Sequence, residues 1–460
     1  MTRFLRYLLL FVAVSFAVDT ALAQATSQIR GMHKVKRKET IFGIARLYEL
    51  TIEELIDANP EMKAPGYELK KGDILRIPFA AKAQPATNTV ATTPTTAAPA
   101  TNAVADDIRQ RVIRVGVMLP LHNINGDGRR MVEYYRGILM ACDSLKKTGL
   151  SFDIHAWNAA EDCDITKILA DKDAAKCDII FGPLYSAQMN AMSEFVQAND
   201  IRLVIPFSIS APQLLTNRNI FQVWQSPTNI NDATIVHYLE LFKDYHPVFI
   251  DCNDSTSKKG PFTSGLRRQL EGRHIEYNVT NLKSSEEAFA KAFSQSRRNI
   301  VILNSARSPE LGVAFAKING LKFNFPSIDI TMFGYTEWLM YTRTHLDNFY
   351  KYNTYIPSVF YYNPLSSQTE RLEQKYRWNF HSDMMQALPR FALTGFDHAF
   401  FFLKGLHKYG KSFNGAAGMF GYAPAQTPLV FERIGNGGLQ NHSLLFVLYM
   451  PEHRVETVKF

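Results

Sequence analysis

The chain of 460 residues is short of the groups that metal, redox and hydrolytic chemistry require. It holds four cysteines, Cys142, Cys163, Cys177 and Cys252, with no Cys-x-x-Cys pair, and its histidines are scattered, so the spacing of a zinc site is missing. No His-Glu-x-x-His, Gly-x-Ser-x-Gly or Walker loop occurs, which removes the common zinc-protease, serine-hydrolase and nucleotide-hydrolase frames. A metal, a cofactor and a catalytic residue are therefore not expected. In an oxidising compartment the even cysteine count permits two bridges in three connectivities, and buried free thiols are the standing alternative. Lys and Arg outnumber Asp and Glu by 51 to 43, a formal charge of +8, but without long like-charge blocks. That excludes nucleic acid as the expected partner and favours an anionic polymer. After residue 23 no apolar run approaches the roughly 20 residues of a transmembrane helix.

What is present begins with an export signal. Arg3 and Arg6, the apolar run from Leu8 to Val18, and Ala21-Leu22-Ala23 follow the charged, apolar, small-residue order of a secretory peptide. Residues 1–23 are expected to be removed, leaving a chain that starts near Gln24 in the periplasm or cell envelope. Loss of two Arg and one Asp lowers the charge from +8 to +7. No cysteine follows the cleavage point, so a lipid anchor is not expected. The remaining length supports two or three domains.

From His33 to Pro78 the pattern is strand, helix, helix, strand. Thr40 is placed to cap a helix with Ile41, Ile44, Ala45, Leu47 and Tyr48 on one face. Thr51 with Glu54 three residues on forms a capping box for a second helix that buries Ile52, Leu55 and Ile56. Asn59-Pro60 ends it, because a residue before proline is pushed out of the helical region. Gly72 turns the chain into a last strand, Ile74 to Pro78. The run His33-Lys-Val35, Lys38-Glu39-Thr40-Ile41, Ile44-Ala45, Tyr48, Thr51, Leu55, Asn59-Pro60 and Leu69-Lys-Lys-Gly72-Asp-Ile-Leu-Arg-Ile-Pro78 resembles a LysM domain over its whole length. Where that family usually has Gly-Asp-Thr, this chain has Lys38-Glu39-Thr40, so the first loop lacks glycine's access to positive φ. The resemblance implies binding of N-acetylglucosamine glycans, chiefly peptidoglycan, between two loops: Lys38, Glu39, Thr40, Ile41 and Phe42 in one, and Asn59, Pro60, Met62 and Tyr67 in the other. Loop amides flanked by apolar side chains suit an acetamido group, although the helical stripe alone also accounts for Ile41 as a core residue.

Residues 80–109 follow as an Ala/Thr/Pro-rich linker, with too little apolar surface to offset the entropy of ordering. Such a tether spans roughly 30 Å as a coil and up to about 90 Å drawn out.

Residues 110–455 alternate strands with helices: a strand from Val112 to Leu119, a glycine loop, a helix from Met131 to Lys147, then further strands at Phe152, Asp178, Leu203, Val248 and Ile300. This alternation predicts an α/β fold of parallel sheets with right-handed crossovers, in two lobes that meet near Trp224 to Tyr238. A cleft between lobes is the expected ligand site. Gly116-Val-Met-Leu-Pro120, Arg136-Gly137, Phe181-Gly-Pro-Leu-Tyr-Ser186, Ile205-Pro-Phe-Ser208-Ile-Ser210-Ala211 and Gly395-Phe-Asp397-His-Ala399 resemble a type I periplasmic binding protein of the branched-chain amino-acid and receptor ligand-binding kind. The resemblance implies a carboxylate seat at Ser186, with Ser208 and Ser210 beside it, and a second-lobe contribution from Tyr335 and Glu337, the glutamate facing an ammonium. Simple helix capping is the alternative role of Ser186. The family's tyrosine after the first strand of its second lobe is replaced here by Cys252-Asn-Asp-Ser-Thr-Ser-Lys-Lys-Gly260. The aromatics from Phe349 to Tyr362 are expected in the core rather than on a sugar-stacking surface.

Three functions remain open at this point. The first is a wall-anchored binding protein whose two lobes hold a small molecule, an amino acid or a wall fragment. The second is a regulator or scaffold whose lobes dock a cell-wall enzyme. The third is a binding protein for amino-acid import, which a tether to the wall disfavours.

Overall fold

The structure, a computed structural model, describes residues 29–35, 41–48, 50, 52–63, 69–78, 107–419, 421 and 423–460. The expected signal peptide, most of the expected linker, and Lys38, Glu39, Thr40, Thr51 and Tyr67 lie outside the described residues. The chain divides near residue 100 into two compact units.

In the smaller unit β1 (Ile29–Lys34) and β2 (Ile74–Pro78) pair antiparallel, and the helices Ile41–Leu47 and Ile52–Asp57 and a 3₁₀ turn Pro60–Lys63 lie between them in the chain. The apolar positions at helical and strand spacing converge on Val35, Ile44, Ala45, Leu50, Leu55, Leu75 and Ile77, which form one small core. At Gly72 the backbone takes φ +103, a conformation that glycine adopts without strain. That turn lets the Gly72 N–H donate to Val35 O at 2.9 Å while the Val35 N–H donates to Asp73 O at 2.8 Å.

The larger unit carries two seven-stranded sheets. The first lobe uses β3 (Ile113–Leu119), β4 (Phe152–Asn158), β5 (Ile179–Phe181), β6 (Arg202–Ile205) and β7 (Ile220–Gln222). The second uses β8 (His246–Asp251), β9 (Asn278–Asn281), β10 (Asn299–Leu303), β11 (Ile330–Phe333) and β12 (Thr354–Ser358). Both sets are parallel and lie in the same order, β4-β3-β5-β6-β7 and β9-β8-β10-β11-β12. The expected α/β architecture is therefore present, once per lobe. The last strands are shared out. β13 (Phe431–Arg433) and β14 (Leu439–Asn441) extend the first sheet beside β7, whereas β15 (Leu445–Met450) and β16 (Arg454–Lys459) add antiparallel to β12.

The chain consequently crosses between lobes three times: after β7, after β12, and between β14 and β15. Sequence periodicity marked only the first crossing. Side chains stitch the crossings together. Gln440 Nε2 donates to Trp224 O at 2.8 Å and Gln225 Nε2 to Ser443 O at 2.7 Å, joining the first crossing to the third. Between the second and third crossings Asp397, fully buried, accepts from the backbone N–H groups of Ala425, Gln426 and Thr427 at 2.7–2.8 Å.

The helix expected from Met131 begins earlier, at Gly126. Asn125 caps it by accepting from Gly128 N, so the two glycines form its first turn instead of a loop. This helix, Gly126–Lys146, crosses the helix Phe391–Tyr409 at close range. A Cβ built on Gly137 would stand 2.0 Å from Ala392 O, and one on Gly395 2.0 Å from Tyr134 O. Only glycine admits that approach. Of the Phe349 to Tyr362 aromatics, Phe349 and Tyr352 are fully buried in the second lobe's core with Tyr350, Tyr355, Phe360 and Tyr361 packed against it, whereas Tyr362 packs against the first lobe's core. All four cysteines are free thiols. Burial pushes those of Cys142, Cys177 and Cys252 up to about 12, which leaves them protonated and unreactive.

Candidate functional site

In the smaller unit the second helix ends at Asp57, two residues before Asn59, and the local pattern explains why asparagine stands there. Its side chain is fully buried. Nδ2 donates to Leu55 O at 2.7 Å and to Arg76 O at 2.8 Å, while Oδ1 accepts from Arg76 N at 2.7 Å. The amide thus ties the helix end to β2 and has no face left for a sugar. Met62 is likewise inside, part of the same small core. These two expected glycan contacts are structural as far as their side chains go, because each satisfies the interior. Pro60 is exposed and Ile41 half-buried, so both keep surface at the expected groove. His33 Nδ1 and the Tyr48 hydroxyl stand 2.9 Å apart, joining β1 to the end of the first helix.

In the larger unit, parallel order puts the strand ends at one edge of each sheet, and the crevice beside the first strand is where α/β sheets hold ligands. On the first lobe the turn after β5 runs through Gly182-Pro183 to Ser186. Gly182 has φ +137, and a Cβ there would meet Met118 O at 2.1 Å. That glycine brings the turn tight against β3 and places Ser186 at the head of a 3₁₀ turn leading into the helix Met189–Ala198. Ser186 Oγ accepts from Ser210 N at 2.9 Å, so two of the three expected serines do meet across the strand ends. Ser208 is exposed on the same loop.

On the second lobe the expected pair is used differently. Tyr335 is 5 % exposed, and its hydroxyl donates to Leu303 O. Glu337 Oε1 lies 2.7 Å from Lys259 Nζ, and that ammonium also sits 4.6 Å from the centre of the Tyr335 ring. The glutamate expected to receive a ligand's ammonium already holds one supplied by the protein. Lys259 escaped sequence reasoning, although it lies in the very loop after β8 where the expected tyrosine is missing.

Tyr335, Glu337 and Lys259 form part of the wall of a cavity of about 400 Å³, a size that suits a small ligand. Trp224 and Pro227 from the first crossing, Phe262 from the helix after β8, Pro357 from β12 and Leu388 complete much of its lining, which is mainly apolar. Thr234, also in the wall, has a buried hydroxyl with no hydrogen-bond partner. Ser186, Ser208 and Ser210 do not line this cavity. The structure therefore gathers the five expected residues into two groups, the serines on one lobe and the Tyr335–Glu337 pair in the hinge-side cavity of the other. Among the described residues no three His, Cys, Asp or Glu side chains are grouped to hold a metal ion, and no helix is long and apolar enough to cross a membrane.

Comparison with known proteins follows the same division. Residues 33–78 match the LysM domain family. This segment is a LysM domain. No curated protein matches the chain significantly. Among solved structures, a putative branched-chain amino acid ABC transporter from Rhodospirillum rubrum superposes with TM-score 0.53 at 13 % identity, covering 76 % of this chain and 100 % of that one. LpoA from Haemophilus influenzae gives 0.48 at 12 % identity, covering 76 % of this chain and 59 % of that one. An ABC transporter substrate-binding protein from Desulfitobacterium hafniense, in complex with Leu, gives 0.41 at 13 % identity, covering 76 % and 100 %. The larger unit has the two-lobed fold of the type I periplasmic binding proteins.

Proposed function

We propose that the chain is an exported cell-envelope protein that holds peptidoglycan through its LysM domain and binds, rather than transforms, a second ligand with its two-lobed unit. The observation that carries this reading is the LysM match over a complete strand-helix-helix-strand unit. Lys38, Glu39, Thr40, Ile41, Phe42, Pro60 and Tyr67 remain the proposed glycan contacts, with the backbone at Asn59 and Met62. The test is co-sedimentation of the chain from Gln24 onward with insoluble peptidoglycan, beside a chain lacking residues 24–80. Binding that the deletion abolishes supports the anchor. A full-length chain that stays in the supernatant at micromolar concentration overturns it.

For the two lobes, Ser186, Ser208 and Ser210 are the proposed seat of an anionic group, and the Tyr335–Glu337–Lys259 cavity is the proposed seat of an apolar one. The groups that would recognise a free amino acid's ammonium are engaged internally, Glu337 by Lys259 and the Tyr335 hydroxyl by Leu303 O. That favours, as a second reading, a unit that docks a cell-wall enzyme over one that carries amino acids to an importer. Calorimetric titration with free leucine separates them: stoichiometric heat with a shift in lobe stability supports solute capture, and silence supports docking.

A further inference from the structure

The helix Ser367–Phe380 of the first lobe buries Thr369, Leu372 and Tyr376 at three- and four-residue spacing. Trp378 is not on that stripe. It points away from the core with 83 % of its surface exposed, the highest exposure of the four tryptophans. Folding does not require an indole there, and a flat aromatic ring set among polar side chains is open to a ligand on its face. Gln374, one turn before it, and Arg377, Asn379 and His381 surround it in a broad depression of about 790 Å³. His381 closes the helix in a left-handed conformation, φ 51, with its backbone N–H donating to Arg377 O. Arg377 Nε donates to Asp383 at 2.7 Å, a pair that steadies one wall.

We infer that the Trp378 face is a second glycan contact, for an N-acetylated amino-sugar polymer. A flat indole presents its electron-rich face to the polarised C–H groups of a sugar ring, and carboxamide, imidazole and guanidinium groups around it bond hydroxyls and acetamides. The occupant follows from size and company. A protein partner would need several apolar anchors over about 800 Å² per side, whereas one aromatic ring among polar side chains matches one sugar. The net charge of +7 that remains after loss of residues 1–23 favours a polymer that carries carboxylates. The inference rests on the peptidoglycan reading of the LysM domain, to which it adds a site on the other unit. With residues 80–109 read from composition as a tether, both contacts would engage one glycan network and gain from the millimolar effective concentration that linkage provides.

All four tryptophans, at 157, 224, 338 and 378, belong to the larger unit, so indole fluorescence of the intact chain is blind to sugar bound at LysM. Titration with a soluble N-acetylglucosamine–N-acetylmuramic acid tetrasaccharide should give a saturable shift in the millimolar range that Trp378→Phe abolishes. Trp378→Ala should weaken pelleting with peptidoglycan roughly 2- to 10-fold, as loss of a weak tethered contact does. Fluorescence that stays flat, or a shift that survives in Trp378→Phe, overturns the second site while pelleting still reports on LysM. A Trp378-dependent shift without pelleting supports the site and overturns the LysM reading instead.

Discussion

Replacing Asn59 with alanine distinguishes a glycan contact from a clamp. Three hydrogen bonds join its side chain to Leu55 and Arg76, each worth about 1 kcal/mol net, so their loss costs about 3 kcal/mol before the penalty for backbone groups left unpaired. A domain of this size holds only about 2–7 kcal/mol in all. With an unfolding entropy near 0.1 kcal/mol/K for so small a unit, the LysM transition should fall by about 30 °C. Scanning calorimetry of the full chain checks this, because the transition of the larger unit should stay where it is. Pelleting with peptidoglycan should decline in step with the unfolded LysM fraction. If Asn59→Ala melts within about 3 °C of the parent, the structural assignment is wrong. If that variant also loses pelleting, Asn59 touches the sugar after all.

Two further outcomes follow from the helix pair of the first lobe. Gly395→Ala places a methyl 2.0 Å from Tyr134 O, so the helices must part, and denaturant unfolding of the larger unit should show a loss of about 3 kcal/mol. An unchanged midpoint would mean that the crossing is looser than described. His398 is fully buried with its Nδ1 2.9 Å from the Tyr134 hydroxyl, and burial pushes its pKa down to about 3. An unfolded imidazole titrates near 6.5, so below that pH only the unfolded chain takes up the proton. The stability this group contributes is complete above pH 7 and falls as pH drops, by about 2 kcal/mol at pH 5. Urea unfolding of His398→Asn should lack that component of the acid sensitivity. An equal slope in variant and parent would place the burden on other groups.

Local patterns alone make the LysM domain legible, because its periodicity, turn glycine and Asn-Pro stop all lie within one short stretch. The same holds for the two βα sets of the larger unit, whose strands and helices repeat in order. What lay beyond contiguous pattern was where distant pieces meet. Lys259 and Glu337 are separated by 78 residues, and no spacing rule joins a lysine after one strand to a glutamate after another. Their pairing changed the expected ammonium site into an internal ion pair. Asn59 was legible as a helix stop but not as a clamp, since its partner Arg76 lies on a strand that closes only in three dimensions.

The sequence by itself determined the two folded units and the period of each element, since alternation and helical spacing are properties of neighbours along the chain. Tertiary structure alone decided the second and third crossings, the sharing of the last four strands between lobes, and which polar groups face a ligand or each other. Those outcomes depend on closing long loops against shape and hydrogen-bond complementarity, which residues far apart in the chain settle only when they are brought together.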